Sequence, residues 1–156
     1  IKGPNVMKGY LHNAAATAEA ITPEGWFRSG DIGVVDGDGY VYICDRIKDM
    51  IIVKGLKVFP AQLESKLLKH PAVAEAAVIG LPDETGDELI KAYLVLKPGV
   101  QAGPEDFRDF CRDNFDAYKR PKLIEITAEL PRNAMKKVLK RVLREQELAK
   151  RKIAAA

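Results

Sequence analysis

The stretch Asp45–Glu64, with the sequence DRIKDMIIVKGLKVFPAQLE, decides the fold. Its charged residues come first, and the short apolar run Ile51–Val53 that follows has the composition of a strand. Gly55 then marks a tight turn before a second short apolar run, and Pro60 stands where a first-turn proline is tolerated at the start of a helix. The stretch therefore predicts a charged connector, a hairpin and an amphipathic helix, in that order.

Downstream of this stretch, strand and helix patterns alternate. The strand-like runs are Val73–Ile79, Ala92–Leu96 and Lys122–Thr127, and the helical patterns are Pro104–Phe115 and Val138–Leu148. We expect the tail Lys150–Ala156 to be frayed. The alternation of short strands with helices predicts a small α+β domain, in which helices flank a short antiparallel sheet.

Upstream of Asp45 the sequence is β-rich. A short polar helix is expected around Asn13–Ala20. The runs Ile32–Val35 and Tyr40–Ile43 then flank Asp36–Gly39, which contains two Asp-Gly dipeptides. Such dipeptides between β-rich runs predict a hairpin.

Composition and charge exclude several classes of protein. The 156 residues are 47% apolar and 30% charged, as in a soluble globular protein. The net charge is only +3 and acidic residues are interspersed with basic ones, which argues against a dedicated nucleic-acid binder. No run approaches the roughly 18 to 20 apolar residues that a membrane-spanning helix needs, so no transmembrane segment is predicted.

The few cysteines and histidines predict no metal site. Cys44 and Cys111 are far apart and have no metal-ligand spacing, so we interpret them as free thiols in a reducing compartment. His12 and His70 are interpreted as structural, with His70 placed to cap a helix end before Pro71.

Three segments carry a resemblance to a known family. They are Ser29–Asp31 after WFR, the stretch Asp45–Glu64, and Leu130–Arg141 with the sequence LPRNAMKKVLKR. In this order they resemble segments of the adenylate-forming superfamily, which includes acyl-CoA synthetases, peptide-synthetase adenylation domains and firefly-type luciferases. Its members activate a carboxylic acid with ATP as an acyl-adenylate.

The resemblance implies a nucleotide site at two residues and a pivot at a third. Asp31 looks like the aspartate that accepts both hydroxyls of a ribose, which suits a carboxylate. Arg46 offers a planar cationic fork for ribose and phosphate oxygens, its alternative being a surface ion pair with Asp45 or Asp49. Lys48 corresponds to the position about which the family rotates its small C-terminal domain.

Two further positions follow from the resemblance. Gly55 is similar to the glycine that clears a path for the pantetheine arm of CoA, with a plain hairpin glycine as the alternative. Lys137 aligns with the adenylation lysine, whose charge offsets the negative charge of carboxylate and α-phosphate. Lys136 replaces the glycine usual just before that lysine, which puts the loop conformation in question because a lysine tolerates positive φ poorly.

The resemblance also implies what surrounds this chain. The family carries a Ser/Thr/Gly-rich phosphate loop upstream that this sequence lacks. Residues 1–45 are therefore expected to be a remnant of the large N-terminal domain, ending at the hinge, and 46–156 the C-terminal AMP-binding-enzyme domain. The missing N-terminal domain becomes the expected partner. Alone, the chain is expected to be inactive, and its segment 1–44 is expected either to pair with another copy through unpaired strand edges or to be disordered in solution.

The predicted whole enzyme is a cytoplasmic acyl-CoA synthetase, most similar to the fatty-acid–CoA ligases, that uses ATP, Mg²⁺ and CoA. A peptide-synthetase adenylation domain is the close alternative. An alternative of another class is a stand-alone module that binds nucleic acid or an anionic membrane through a basic helix. That helix would use Lys136, Lys137, Lys140, Arg141 and Arg144.

Overall fold

The computed structural model describes residues 1–154. They form two compact units, Ile1–Lys48 and a second unit that begins at Asp49. The boundary thus falls inside the charged connector, slightly after the predicted division between Asp45 and Arg46. The interpretation of 1–45 as a domain remnant stays a prediction.

The first unit contains one helix and one hairpin. Helix α1, Ala14–Ala20, begins after Asn13, whose side-chain oxygen accepts a hydrogen bond from the Ala16 N–H at 3.0 Å. Strands β1, Asp31–Val35, and β2, Val41–Arg46, pair antiparallel, which confirms the predicted hairpin. Asp36 holds its turn by accepting the N–H groups of Asp38 and Tyr40.

The β1–β2 hairpin keeps its apolar side chains largely in solvent. More than half of the surface is exposed for Val34, Val35, Tyr40, Val41, Tyr42 and Ile43. Apolar side chains clustered in this way are typical of a surface that another protein element covers.

The second unit begins with the elements that the charged stretch predicts. Strands β3, Ile51–Val53, and β4, Leu56–Val58, form an antiparallel hairpin. Both of its turn residues, Lys54 and Gly55, have positive φ, as a two-residue hairpin turn requires. Helix α2, Pro60–Leu67, follows with its proline in the first turn.

A three-stranded sheet forms the centre of the second unit. Strands β5, Val73–Pro82, and β6, Glu88–Leu96, are antiparallel, and β7, Leu123–Ile126, pairs with β6 in parallel. The α+β class is confirmed, but the sheet is mixed. Strands β5 and β6, with ten and nine residues, extend beyond the predicted runs Val73–Ile79 and Ala92–Leu96. The charged residues Glu88 and Lys91 interrupt the apolar pattern, so the sequence did not indicate where β6 starts.

The two faces of this sheet bury different cores. One face packs against α2 and against helix α3, Arg108–Asn114, and its core includes Leu63, Val78 and Phe107. The other face lies against helix α4, Lys140–Ala154, and its core includes Ile79 and Leu143. Alternation along the strands supplies both faces.

Two details of the helices differ from expectation. The segment predicted as a helix from Pro104 begins with a 3-10 turn, Pro104–Phe107, before α3. Helix α4 continues through Ala154, so the expected fraying was wrong for 150–154 because Lys150 and Arg151 are bonded to the sheet. Residues 155 and 156 lie outside the described part. His70 accepts the Ala72 N–H and contacts two phenylalanine rings, a structural role as predicted.

Both cysteines are free thiols, as predicted. Within residues 1–154, no helix combines the length and the hydropathy that crossing a membrane requires.

Candidate nucleotide and adenylation site

Asp31 and Arg46 face each other across the β1–β2 hairpin. They are register partners, and Arg46 Nε lies 3.1 Å from Asp31 Oδ1. The Arg46 side chain is 56% exposed and that of Asp31 is 25% exposed. The hairpin thus presents a carboxylate and a guanidinium side by side, and both keep hydrogen-bonding capacity for a polar ligand.

Gly30 gives this pair its backbone geometry. It has a φ of +75°, and a side chain at this position would meet nothing within 4 Å. The glycine is therefore required by its left-handed conformation and leaves open space beside Asp31.

Lys48 lies in the 3-10 turn Ile47–Asp49, where the first unit ends. It is exposed, and no ion pair of its side chain is present among residues 1–154. An exposed residue at the boundary between the two units is compatible with the pivot that the resemblance implies.

Gly55 lies at the tip of the β3–β4 hairpin with a φ of +77°, and an added Cβ would meet nothing within 4 Å. The hairpin is fixed to the turn between β5 and β6. Glu88 accepts the Ile52 N–H at 2.8 Å, and Asp87 accepts the N–H of Lys54. Gly55 is thus an open position on a firmly anchored turn.

The segment 132–138, which we call the lysine loop, closes as a small hairpin through a bridge between Arg132 and Val138. Asn133 organises it. Its side-chain oxygen accepts the N–H groups of Met135 and Lys137, at 3.0 and 2.9 Å, and its own N–H donates to the Lys137 carbonyl at 3.0 Å. The backbone of Lys137 is therefore held at both polar groups while its side chain is exposed.

Known proteins are similar to this chain over most of its length. Residues 62–137 match the family of AMP-binding enzyme C-terminal domains. The chain is a C-terminal portion of an adenylate-forming enzyme. It is 47% identical over 145 residues to a 2-succinylbenzoate–CoA ligase of Geobacillus, covering 93% of this chain and 29% of that ligase.

A second curated relative and a solved structure show a similar extent of similarity. The long-chain-fatty-acid–CoA ligase of Bacillus subtilis is 43% identical over 94% of this chain and 26% of its own length. Among solved structures, ATP-bound MatB from Rhodopseudomonas palustris superposes with a TM-score of 0.88 at 37% identity, over 93% of this chain and 29% of that one. The chain thus spans less than a third of the length of the proteins it matches.

Lys136 stands where the resemblance implies a glycine, and the structure shows the consequence. Lys136 has a φ of +62°, so the lysine adopts the left-handed conformation that a glycine takes without strain. The question raised by the sequence is answered in favour of a left-handed backbone here. An L-residue in this region costs about 1–2 kcal/mol, which neighbouring contacts must offset.

The structure divides the predicted site residues between the two units. Asp31 and Arg46 are brought together in the first, and Lys48 ends it. Gly55 and Lys137 lie in the second unit, on two different loops. Among the residues described, 1–154, no cluster of His, Cys, Asp and Glu is arranged to hold a metal.

Sequence reasoning missed a buried ion cluster, the Lys91 cluster, between the sheet and α4. Lys91 Nζ lies 2.6 Å from both Glu125 Oε2 and Glu147 Oε2, and the Tyr93 hydroxyl donates to Glu147 at 3.0 Å. Lys91 and Glu147 are 5% and 8% exposed. The available signal was Glu147 itself, which follows the buried Leu143 by one helical turn on the core-facing side of α4.

The pKa values in this cluster follow its contacts. Burial opposes ionisation of Glu147, but hydrogen bonds from Lys91 and Tyr93 outweigh it and lower the pKa of the carboxyl. Burial and the hydrogen bond to Glu147 raise the pKa of Tyr93. The charges of the cluster are thus paired with one another, so the cluster serves to join β6, β7 and α4.

Proposed function

We propose that the chain is part of an ATP-dependent acyl-CoA synthetase, an acid–thiol ligase. The intact enzyme would convert a carboxylic acid, ATP and CoA into acyl-CoA, AMP and pyrophosphate through an acyl-adenylate. The observation that carries this proposal is the lysine loop, which fixes the backbone of Lys137 and leaves its ammonium group exposed.

Each site residue has a role in this reaction. Asp31 accepts the ribose hydroxyls, and Arg46 binds ribose and phosphate oxygens beside it. Lys137 places positive charge between the substrate carboxylate and the α-phosphate as they approach each other. The remaining two serve the second half-reaction, since Lys48 is the pivot of the small domain and Gly55 lines the path of CoA.

The names of the relatives support a proposal for the thiol, whereas the acid is proposed from the resemblance of the stretch Asp45–Glu64 to fatty-acid–CoA ligases. The two curated relatives described above are named as CoA ligases, which favours CoA over the carrier-protein thiol of a peptide synthetase. One is named for an aryl acid and the other for long-chain fatty acids. We propose a fatty or similar aliphatic acid.

The rest of the enzyme supplies what this chain lacks. We propose that a large N-terminal domain provides the acyl pocket, the phosphate loop and the ligands of the Mg²⁺ that accompanies ATP. A cytoplasmic location agrees with the two free thiols. The chain alone should then catalyse no acid-dependent pyrophosphate exchange, and its exposed β1–β2 hairpin should drive self-association.

The alternative as a basic binding module is disfavoured by the ion pairs of α4. Lys140 lies 2.8 Å from Glu64, Arg144 lies 3.1 Å from Glu88, and Lys150 lies 3.3 Å from Glu125. Charges neutralised within the fold contribute little to counterion release on a polyanion.

The test is Lys137→Ala in the intact enzyme, with Lys136→Ala as the matched control one residue away. Loss of one preorganised charge should lower acid-dependent pyrophosphate exchange by about 10²–10³-fold. Thioester formation from supplied acyl-adenylate should stay near normal. If Lys136→Ala abolishes exchange and Lys137→Ala does not, the assignment of the adenylation lysine is wrong by one residue.

A further inference from the structure

The guanidinium of Arg132 connects the lysine loop to the central sheet. One of its terminal nitrogens donates to the Lys136 carbonyl at 2.5 Å, and the other pairs with the carboxylate of Glu75. Arg132 and Glu75 are separated by 57 positions in the sequence, so this contact forms only in the folded unit. The two acceptors are bridged by a single planar fork, which is a geometry that arginine provides and lysine does not.

Glu75 is a firm anchor for this fork. It belongs to β5, next to the irregularity between Val73 and Glu75, and its backbone pairs with Val95 of β6. A β-bulge redirects a side chain relative to the regular pleat. The Glu75 carboxylate thus lies at the sheet surface, within reach of the lysine loop.

The bond from Arg132 acts on the peptide unit that precedes Lys137. The carbonyl of this unit belongs to Lys136 and accepts from Arg132, whereas its N–H belongs to Lys137 and donates to Asn133 Oδ1 at 2.9 Å. Because a peptide unit is planar, contacts at both ends fix its orientation. That orientation sets the direction in which the Lys137 side chain leaves the backbone.

The conformation of Lys136 gives this contact added importance. A lysine at a φ of +62° is strained, and relief of that strain requires rotation about the N–Cα bond of Lys136, which moves the Lys136 carbonyl. Arg132 opposes such a rotation by holding the Lys136 carbonyl. The chain thus combines an unfavourable residue at this position with a charged contact that keeps the loop in shape.

We propose that Glu75 and Arg132 are positioning residues for the adenylation half-reaction, acting through Lys137. This inference rests on the proposed function of Lys137. Neither residue needs to touch substrate. The pair orients the peptide unit ahead of Lys137, so that the ammonium group is already placed when carboxylate and α-phosphate meet.

The test compares Arg132→Lys and Glu75→Gln in the intact enzyme with a matched surface pair. The control is Arg108→Lys and Glu105→Gln, which alter an exposed ion pair of 2.6 Å on the α3 side of the unit. Since small misplacements of a reacting group are costly, acid-dependent pyrophosphate exchange should fall about 10- to 100-fold in the Arg132 and Glu75 variants. Thioester formation from supplied acyl-adenylate should stay near the wild-type rate, and the control variants should match wild type in both assays.

A double-mutant cycle with Lys137→Ala separates positioning from general destabilisation. If Arg132 acts through Lys137, Arg132→Lys should have no further effect on exchange in the Lys137→Ala background. Equal losses in both half-reactions, additive effects in the cycle, or an Arg132→Lys enzyme within about twofold of wild type would overturn the inference. The proposed function survives those results, and it fails instead if Lys137→Ala leaves exchange intact.

Discussion

Lys91 and Lys137 belong to the same unit and are treated in opposite ways. Lys91 is 5% exposed and its ammonium group contacts two carboxylates, whereas Lys137 is exposed and its backbone, not its charge, is bonded to the fold. A lysine neutralised in place stabilises the molecule and has no charge left for a ligand. A lysine that acts on a substrate needs an unpaired charge and a fixed backbone, and among residues 1–154 no ion pair of the Lys137 side chain is present, which fits the role proposed for it.

Lys91→Met should therefore cause the largest loss of stability. Removing this partner leaves Glu125 and Glu147 without their central cation, and breaking a buried ion pair costs about 3–5 kcal/mol. Lys137→Met, on the exposed loop, should change the free energy of unfolding by no more than about 0.5 kcal/mol.

Urea unfolding, monitored by hydrogen exchange at the Ala92 and Leu94 amides of β6, measures the free energy of unfolding of both variants. Fluorescence of Trp26, the single tryptophan, would report on the first unit instead. The double variant Lys91→Met with Glu147→Met should recover part of the loss, since an apolar pair can replace a buried ion pair. Equal stabilities of Lys91→Met and Lys137→Met would remove the contrast between the two lysines.

Acid titration should sharpen the same contrast. The pKa values of Glu147 and Glu125 are lowered in the fold, where contacts with Lys91 outweigh burial. Carboxyls of this kind stabilise the fold fully above their unfolded pKa of about 4.3, and the contribution is lost as the pH falls through the folded pKa. Stability of the second unit should thus hold from neutral pH to about pH 5 and then decline.

Lys91→Met should invert this response. Burial is then opposed at Glu147 only by the Tyr93 hydroxyl and by Lys150, 3.7 Å away, so the folded pKa of Glu147 should rise above the unfolded value. A raised pKa means that protonation favours the folded state, and the deficit of the variant should shrink as the pH falls. A deficit that stays constant from pH 7 to 4 would show that Lys91 stabilises through packing alone.

At the lysine loop we expect a small gain in stability. Lys136→Gly should stabilise the second unit by about 0.5–1 kcal/mol, because glycine adopts the left-handed conformation without strain but loses more entropy on folding. Lys137→Gly is the matched control, since Lys137 does not have positive φ and should lose stability instead. Thermal unfolding of the two variants measures the difference. A loss in both would indicate that the side chain of Lys136 stabilises the loop.

Local signals predicted the elements whose cause is local. The Asp-Gly turn located the β1–β2 hairpin, and Pro60 located the start of α2. The start of β6 was misplaced because Lys91 interrupts the apolar pattern, and its burial depends on Glu147, which is 56 positions away. The parallel direction of β7 likewise has no local signature, since it depends on where the chain returns to β6.

The site follows the same division. Motif order in the sequence predicts Asp31, Arg46 and Lys137 as site residues, and these assignments stay predictions. The pairing of Asp31 with Arg46 needed the strand register, and the anchoring of the lysine loop by Glu75 needed the fold. Sequence patterns identify the residues of such a site, and long-range contacts determine how they are held.

The anchors of the two loops in the second unit have a mechanical consequence. The Gly55 turn is attached through Asp87 and Glu88, and the lysine loop is attached through Glu75, so both are joined to the single β5–β6 ribbon. If Lys48 is the pivot, as proposed, a rotation of the second unit about it would carry both loops together. Neither loop would need to change its own conformation. The stiffness of the β5–β6 ribbon would then limit how accurately each loop is positioned at a substrate.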